Sequence, residues 1–358
     1  FRLVINDKTM KKTLLTIISA VMTSALMAQT QVTEFTPGVV AHGVNYMLPK
    51  TQLRIDVTAI KIVYTPGEYA KYAERYLHIS NVPAEQSCRW QVTGMRVSQE
   101  GVPDTTKAFT VKMKDKTVAP MAQLSESGTL LAVNTSVAAE NDKTVLPAAT
   151  SNRLESRQYL TEDILASTSI SKRAELTAQE ILDIRESKNA IKRGQVESMP
   201  KDGASLKIVL DELDLQEQAL TQLFAGYADT VWVSRSYTFV PETDIDRNIF
   251  FRFSQKLGFV DADDLAGEPY YLTVKDLHTV SLPTEEAKAK RKITGLVYNM
   301  PSMARVKIES LAASIYDKEL PFAQMGTVDV LSPTLFNKGA DTKLTLYPAT
   351  GGILYLEQ

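Results

Sequence analysis

Between Ser171 and Gly226 the apolar residues recur at a helical period, and this stretch constrains the fold more than any other. Leu206, Leu213 and Leu220 fall seven apart, with Val209/Leu210, Gln216/Glu217 and Leu223/Phe224 at the intervening seam positions. That stripe is apolar except in its middle rung, as a partly buried helix requires. Pro200 and Asp202 precede it, and Gly226 supplies a stop after Phe224. Upstream, Thr177 and Glu180 have capping-box spacing. Ala174, Ala178, Ile181, Leu182 and Arg185 then share a face until Gly194. The reading is two helices laid back to back.

On both sides the period changes to two. Leu53–Tyr64 alternates apolar and polar residues, and Arg89–Val97, Phe109–Met113 and Leu130–Asn134 read as further strands. Turn-forming runs, Glu100–Asp104 and Ser125–Gly128, separate them. A short helix is expected where Tyr69, Tyr72, Ala73, Tyr76 and Leu77 fall on one face. Beyond the helical pair, strands are expected at 231–240, 248–254, 270–274, 294–298, 304–308, 326–330, 343–347 and 352–356. Pro348–Gly351 should turn the last two into a hairpin. The fold class predicted is therefore α+β: two β-rich domains, sandwich or barrel-like, linked by a long helical hairpin. Its expected parts are a leader over 1–28, a β-rich domain over 29–135, a linker over 136–170, the hairpin over 171–226 and a second β-rich domain over 227–358. The linker is rich in Ala, Thr, Ser and Asn, with a short helix within Tyr159–Leu165 capped by Thr161. An echo between Ala119–Gln123 and Leu320–Gln324 hints weakly at related β-modules.

Met10-Lys11-Lys12, the apolar run Leu14–Leu26 and the small residues Ser24, Ala25 and Ala28 have the build of a signal peptide cleaved after Ala28. Phe1–Thr9 lie ahead of that Met and are set aside. Removing residues 1–28, with Arg2, Lys8, Lys11 and Lys12 against Asp7, takes the formal charge from −2 to about −5. That balance disfavours sequence-independent nucleic-acid binding. No later apolar run has the length of a membrane helix. Cys88 is the one cysteine, so neither an internal disulfide nor a thiolate metal cluster is available. The basic run Lys288, Lys290, Arg291 and Lys292 follows Glu285 and Glu286 and reads as a solvated connector.

Reactive constellations are hard to find. His42, His78 and His278 lack metal-ligand spacing, and Asp261–Asp264 miss the calcium-loop pattern at Leu265 and Gly267. A capped helical turn from Asp261 to Gly267 is the simpler reading. No Gly-x-Ser-x-Gly elbow or phosphate-binding glycine loop occurs. Cys88 beside Arg89 is either an activated thiol or a small buried hydrophobe entering a strand. No catalytic residue, cofactor or metal is predicted, although a dispersed carboxylate pair leaves no signature in sequence.

The runs Thr65–Leu77, Gly101–Asp104, Thr117–Pro120, Gln158–Glu162, Ile184–Ser187, Leu210–Glu217, Val260–Leu265 and Pro321–Gln324 together resemble an uncharacterised exported family of Bacteroides-type gut bacteria, the domain of unknown function 4831. The resemblance spans nearly the whole chain after the leader. It implies a periplasmic, outer-membrane-associated or extracellular product and carries over no activity or site residue.

Export without a reactive centre predicts a non-enzymatic interaction or scaffold protein of the cell envelope. The alternative is a carbohydrate-binding or glycan-processing protein, with a hydrolase bearing a dispersed carboxylate site as a further rival. The aromatic residues Tyr69, Tyr72, Tyr76, Trp232 and Tyr237 form the candidate interaction surface, for an envelope protein or a glycan.

Overall fold

A computed structural model describes residues 31–34, 44–112, 122–137, 146–195, 203–284, 295–332, 335 and 342–357. The expected leader, the basic run at 288–292 and the Pro200/Asp202 helix start lie outside the described residues.

Two long antiparallel hairpins form the frame. The first joins β2 (Val44–Thr65) to β3 (Ser87–Lys112); the second joins β10 (Leu296–Glu309) to β11 (Ser314–Leu331). In β2 Leu53, Ile55, Val57 and Ala59 are fully buried while Arg54 and Thr58 are partly exposed; Asp56 between them is also buried, bonded by Arg54 and Ser236. A bulge at Thr58/Ala59 opposes Gly94/Val92. The extra residue restores parity, so that Trp90 and Val92 join Met95 and Val97 against the same core.

β1 (Gln31–Glu34) and β6 (Tyr227–Phe239) complete the first sheet, in the order β1-β3-β2-β6. A second sheet has the order β11-β10-β9-β7-β8, with β7 at Ile245–Ser254, β8 at Gly258–Val260 and β9 at Glu268–Asp276. The two sheets bury one core between them, centred on Phe251, which stacks on Tyr237 and Tyr270 at 5.2 and 4.4 Å. A third sheet, β13-β12-β5-β4, is made of β4 (Ala122–Leu124), β5 (Leu130–Val133), β12 (Lys343–Leu346) and β13 (Ile353–Glu357). It packs on the near ends of both long hairpins, where Tyr46, Phe109, Leu296 and Val297 share a core with Leu344 and Leu346. The long strands therefore run through both cores.

This is a mainly β fold of three antiparallel sheets, and it overturns the expected α+β arrangement. No long helical hairpin links two β-rich domains, because the sheets do not divide that way. β2 pairs with β6 from Leu53↔Phe239 to Thr65↔Tyr227, across the whole helical stretch. Likewise β5 pairs with β12 at Leu344↔Val133. Alternation reveals that a segment is a strand but not which strand lies beside it, and here the pairings are non-local.

Among the described residues there are four α-helices: α1 (Ala73–Leu77), α2 (Glu162–Ala166), α3 (Ile170–Lys192) and α4 (Gly203–Ala225). They gather at the far end of β2, with Tyr69, Ala73, Ala178, Ile181, Leu220 and Phe224 buried together. Thr177 is not a cap. It sits inside α3, buried, and its hydroxyl donates to Arg173 O at 2.8 Å. Thr161 precedes α2 but makes no side-chain cap bond. Residues 150–154 of the expected linker are pinned: Thr150 and Thr230 exchange backbone hydrogen bonds at 3.0 Å, and Gln222 Nε2 donates to Asn152 O at 2.6 Å.

Candidate binding site

The chain passes from one core to the other at a waist, and each long hairpin crosses it through an irregularity. In the first, pairing jumps from Met47↔Ala108 to Pro49↔Pro103; in the second, from Met300↔Thr327 to Ser302↔Phe322. Proline lacks an N–H, so Pro49 and Pro301 fit where the ladder is already interrupted. Both crossings begin with Tyr-x-x-Pro, Tyr46–Pro49 and Tyr298–Pro301. The expected break between 298 and 304 is the second crossing; at the expected break Glu100–Asp104, residues 100–103 stay paired with Gln52–Pro49 and the first crossing follows, between Pro103 and Ala108, both inside continuous strands.

Polar side chains bond the backbone that the bulges leave over. Gln324 Oε1 accepts from Thr51 N at 2.8 Å, and its Nε2 donates to Thr51 O and Pro241 O at 2.9 and 3.0 Å. The amide thus stands in for a strand. Thr51 Oγ1 donates to Ala349 O and accepts from Ala323 N, both at 3.0 Å. The Tyr46 hydroxyl donates to Val297 O at 3.3 Å and accepts from Val297 N at 3.0 Å. Burial pushes its pKa well above the usual tyrosine range, a shift the Val297 contact only partly offsets.

Asn299 is the exception. It is fully buried, and its Nδ2 donates to Pro49 O at 2.9 Å and Thr350 O at 2.8 Å. Two carbonyls fix the amide orientation, since a flipped Asn would set oxygen against oxygen. Among the described residues its Oδ1 then has no partner, and it has almost no accessible surface. Asn299 lines a cleft of about 640 Å³ walled by Met300, Pro301, Pro321, Tyr347 and Ile353. The predicted hairpin turn at Pro348–Gly351 is present and forms one lip, with Gly351 N and Thr350 N donating to Tyr347 O at 2.7 and 3.2 Å. Gly351 has φ +68, and a Cβ there would meet Pro49 Cδ at 2.7 Å, so glycine lets the turn close on the waist. Mostly apolar walls suit an apolar group.

The cleft's edge holds no nucleophile aligned with a base. Ser302 Oγ donates to Asp276 Oδ1 at 2.8 Å, and His278 Nδ1 lies 3.0 Å from Asp276 Oδ2. Serine and histidine thus both engage the carboxylate, not each other, and His278 is exposed. Among the described residues no group of three or more His, Cys, Asp and Glu is placed to hold a metal ion. Asp261–Asp264 form a turn, Asp264 N donating to Asp261 O at 3.1 Å. Cys88 is exposed at the start of β3, opposite Val63, so it is not a buried hydrophobe.

The five aromatic residues singled out from sequence do not form one surface: Tyr69, Tyr72 and Tyr76 meet in the helical cluster, and Trp232 and Tyr237 lie apart from them on β6. Tyr69 is buried edge-on to Phe224 at 5.4 Å in the helical cluster, where burial raises its pKa. Tyr72 and Tyr76 are half-buried and stacked at 6.1 Å nearby. Trp232 is half-buried on β6 opposite Ile60. Tyr237 points into the first core, between Phe250 and Phe251. Sequence reasoning missed Asn299 and Tyr347. The one signal that could have found the waist was the repeated Tyr-x-x-Pro.

Fold and site define a three-sheet β protein with an apolar waist cleft. A family model described as a domain of unknown function (DUF4831) matches residues 42–354, and the chain belongs to that family. No curated protein and no solved structure matches it. No helix among the described residues is long and apolar enough to cross a membrane.

Proposed function

We propose that the protein is an exported, non-enzymatic interaction protein of the cell envelope that holds an apolar group of a partner in the waist cleft. The observation that carries this reading is the cleft itself, about 640 Å³ with mostly apolar walls that include Met300, Pro301, Tyr347 and Ile353. The leader-like residues 10–28 support export. The dispersal of the five aromatics gives a glycan platform no comparable support.

Methyl NMR tests the cleft directly, because Met300 and Met303 both line it. A capped Leu-Tyr dipeptide amide should shift both methyl resonances saturably, with Kd on the order of 1 mM. Tyr347→Ala should weaken that response. Methyl shifts that stay linear in peptide, or fall elsewhere in the molecule, contradict the reading. Export is tested by mass spectrometry of the protein from its native cell: a chain starting at Gln29 agrees, and one retaining residues 10–28 does not.

A further inference from the structure

A second cavity, of about 440 Å³, lies between the start of β3 and the adjoining ends of β7 and β9, where it is lined by Arg89, Trp90, Gln91, Gln255, Glu268 and Tyr270. Its walls are fixed from the core outward. Trp90 N donates to Gln255 O at 2.8 Å, and the indole lies against Gly258, where a Cβ would come within 2.8 Å of the ring. Gly258 has φ +81, so glycine both makes that turn and admits the ring. Tyr270 stacks on Phe251 at 4.4 Å. By the strand's period of two, Glu268 stands on the same side of β9 as Tyr270, Leu272 and Val274, so a carboxylate ends the row that fills the core. Arg89 and Gln91, on the other side of β3 from Trp90, border the cavity along an edge that β1 leaves free, since β1 pairs only with Phe109–Lys112.

Among the described residues none of these six side chains has a hydrogen-bond or ion-pair partner. Burial, with the Glu268 carboxylate adding to it, pushes the Tyr270 pKa up, so its hydroxyl stays a donor. The charges narrow the ligand. A cation would meet Arg89 and the Lys61 ammonium, which lies 5.7 Å over the Trp90 ring; an anion would meet Glu268. A wholly apolar group would cover the polar side chains without pairing them. An uncharged ligand dense in hydroxyls meets each demand, because every hydroxyl both donates and accepts. We propose that this cavity binds a neutral sugar residue, with the Glu268 carboxylate and the Gln91 and Gln255 amides taking its hydroxyls and Trp90 and Tyr270 lying against its ring carbons. The site is separate from the waist cleft and does not depend on the reading given to that cleft.

Trp90 and Trp232 are the two tryptophans of the chain, so two indole N–H resonances read the site, with Trp90→Phe assigning one of them. The methyl glycosides of glucose, galactose, mannose and N-acetylglucosamine are titrated into the full chain. At least one should shift the Trp90 signal saturably, with Kd on the order of 10 mM or tighter, and leave the Trp232 signal in place. Glu268→Ala should weaken that sugar about tenfold or more, and Gln91→Ala should weaken it as well. Tyr347→Ala, in the waist cleft, should leave the sugar response as it was. Shifts that stay linear with all four sugars overturn the proposal, as does a Glu268→Ala chain that binds like the parent or a response that Tyr347→Ala removes. Saturation of the Trp90 signal by tetramethylammonium, acetate or the capped Leu-Tyr dipeptide amide in place of the sugars also overturns it, and assigns the cavity to a cation, an anion or a peptide.

Discussion

Asn299 holds the carbonyls of Pro49 and Thr350, which lie at opposite ends of the sequence, and so ties both long hairpins to the last turn. Asn299→Ala removes both bonds and should lower stability by about 2–3 kcal/mol in urea unfolding. Asn299→Asp should cost more, because a carboxylate would face two carbonyl oxygens in a buried site. Tyr46 gives a test through pH. Its folded pKa is raised by burial, so the contribution it makes is fully present below the unfolded tyrosine value near 10. It is lost as pH rises from there toward the higher folded value. Tyr46→Phe should therefore abolish part of the alkaline fall in stability; an unchanged slope would show that Tyr46 ionises as readily when folded. Neither residue was legible as special in the sequence. An Asn two residues before a proline reads as part of a turn, and only the fold shows that it is buried with one oxygen unpaired.

At the scale of elements, the helices gave the clearest sequence signal and the strands the most misleading breaks. Ala174, Ala178, Ile181 and Leu220 are buried as their spacing suggested, while Leu182, assigned to the same face, is exposed. Leu213, in the middle of the stripe, is only half-buried against the helical cluster. Leu220→Asp should cost about 4 kcal/mol or more and Leu182→Asp little, measured by chemical denaturation. The contact between α3 and α4 is also held by charge. Lys188 bonds Glu217 and Asp214, and Arg185 Nε bonds Glu217 Oε1 at 2.6 Å. Burial raises the Glu217 pKa, but the Lys188 and Arg185 hydrogen bonds outweigh it and hold the carboxyl below its usual range. Its contribution is present above the unfolded value near 4 and is lost as pH falls through the depressed folded value. Glu217→Gln should flatten the acid-side slope, and an unaltered slope would show that the pair is not coupled to folding. Strand boundaries were misread at Pro103 and Pro301, though Gly94 within Arg89–Val97 was read through. Glu100–Asp104 and Met300–Ser302 carry turn-like composition, yet both lie within continuous strands, the first beside a register jump and the second across one. Local chemistry signals an interrupted ladder equally well for a turn and for a bulge.

For the whole molecule, sequence suggested two β bodies because helices separate two sets of strands. The pairing of β2 with β6 and of β5 with β12 weaves those sets into shared sheets, and the waist exists only because they are shared. The cleft draws its walls mostly from the C-terminal strands, Met300 and Pro301 on the second hairpin and Tyr347 and Ile353 on the third sheet, with Gln99 of the first hairpin beside them. It keeps its shape only while both cores stay folded. Native-state hydrogen exchange in graded denaturant tests this most directly. Core amides of β7 in the first core and of β12 in the second should open with one free energy and one denaturant dependence. Separate opening of β12, at lower denaturant while β7 stays protected, would show two independent bodies and contradict the account.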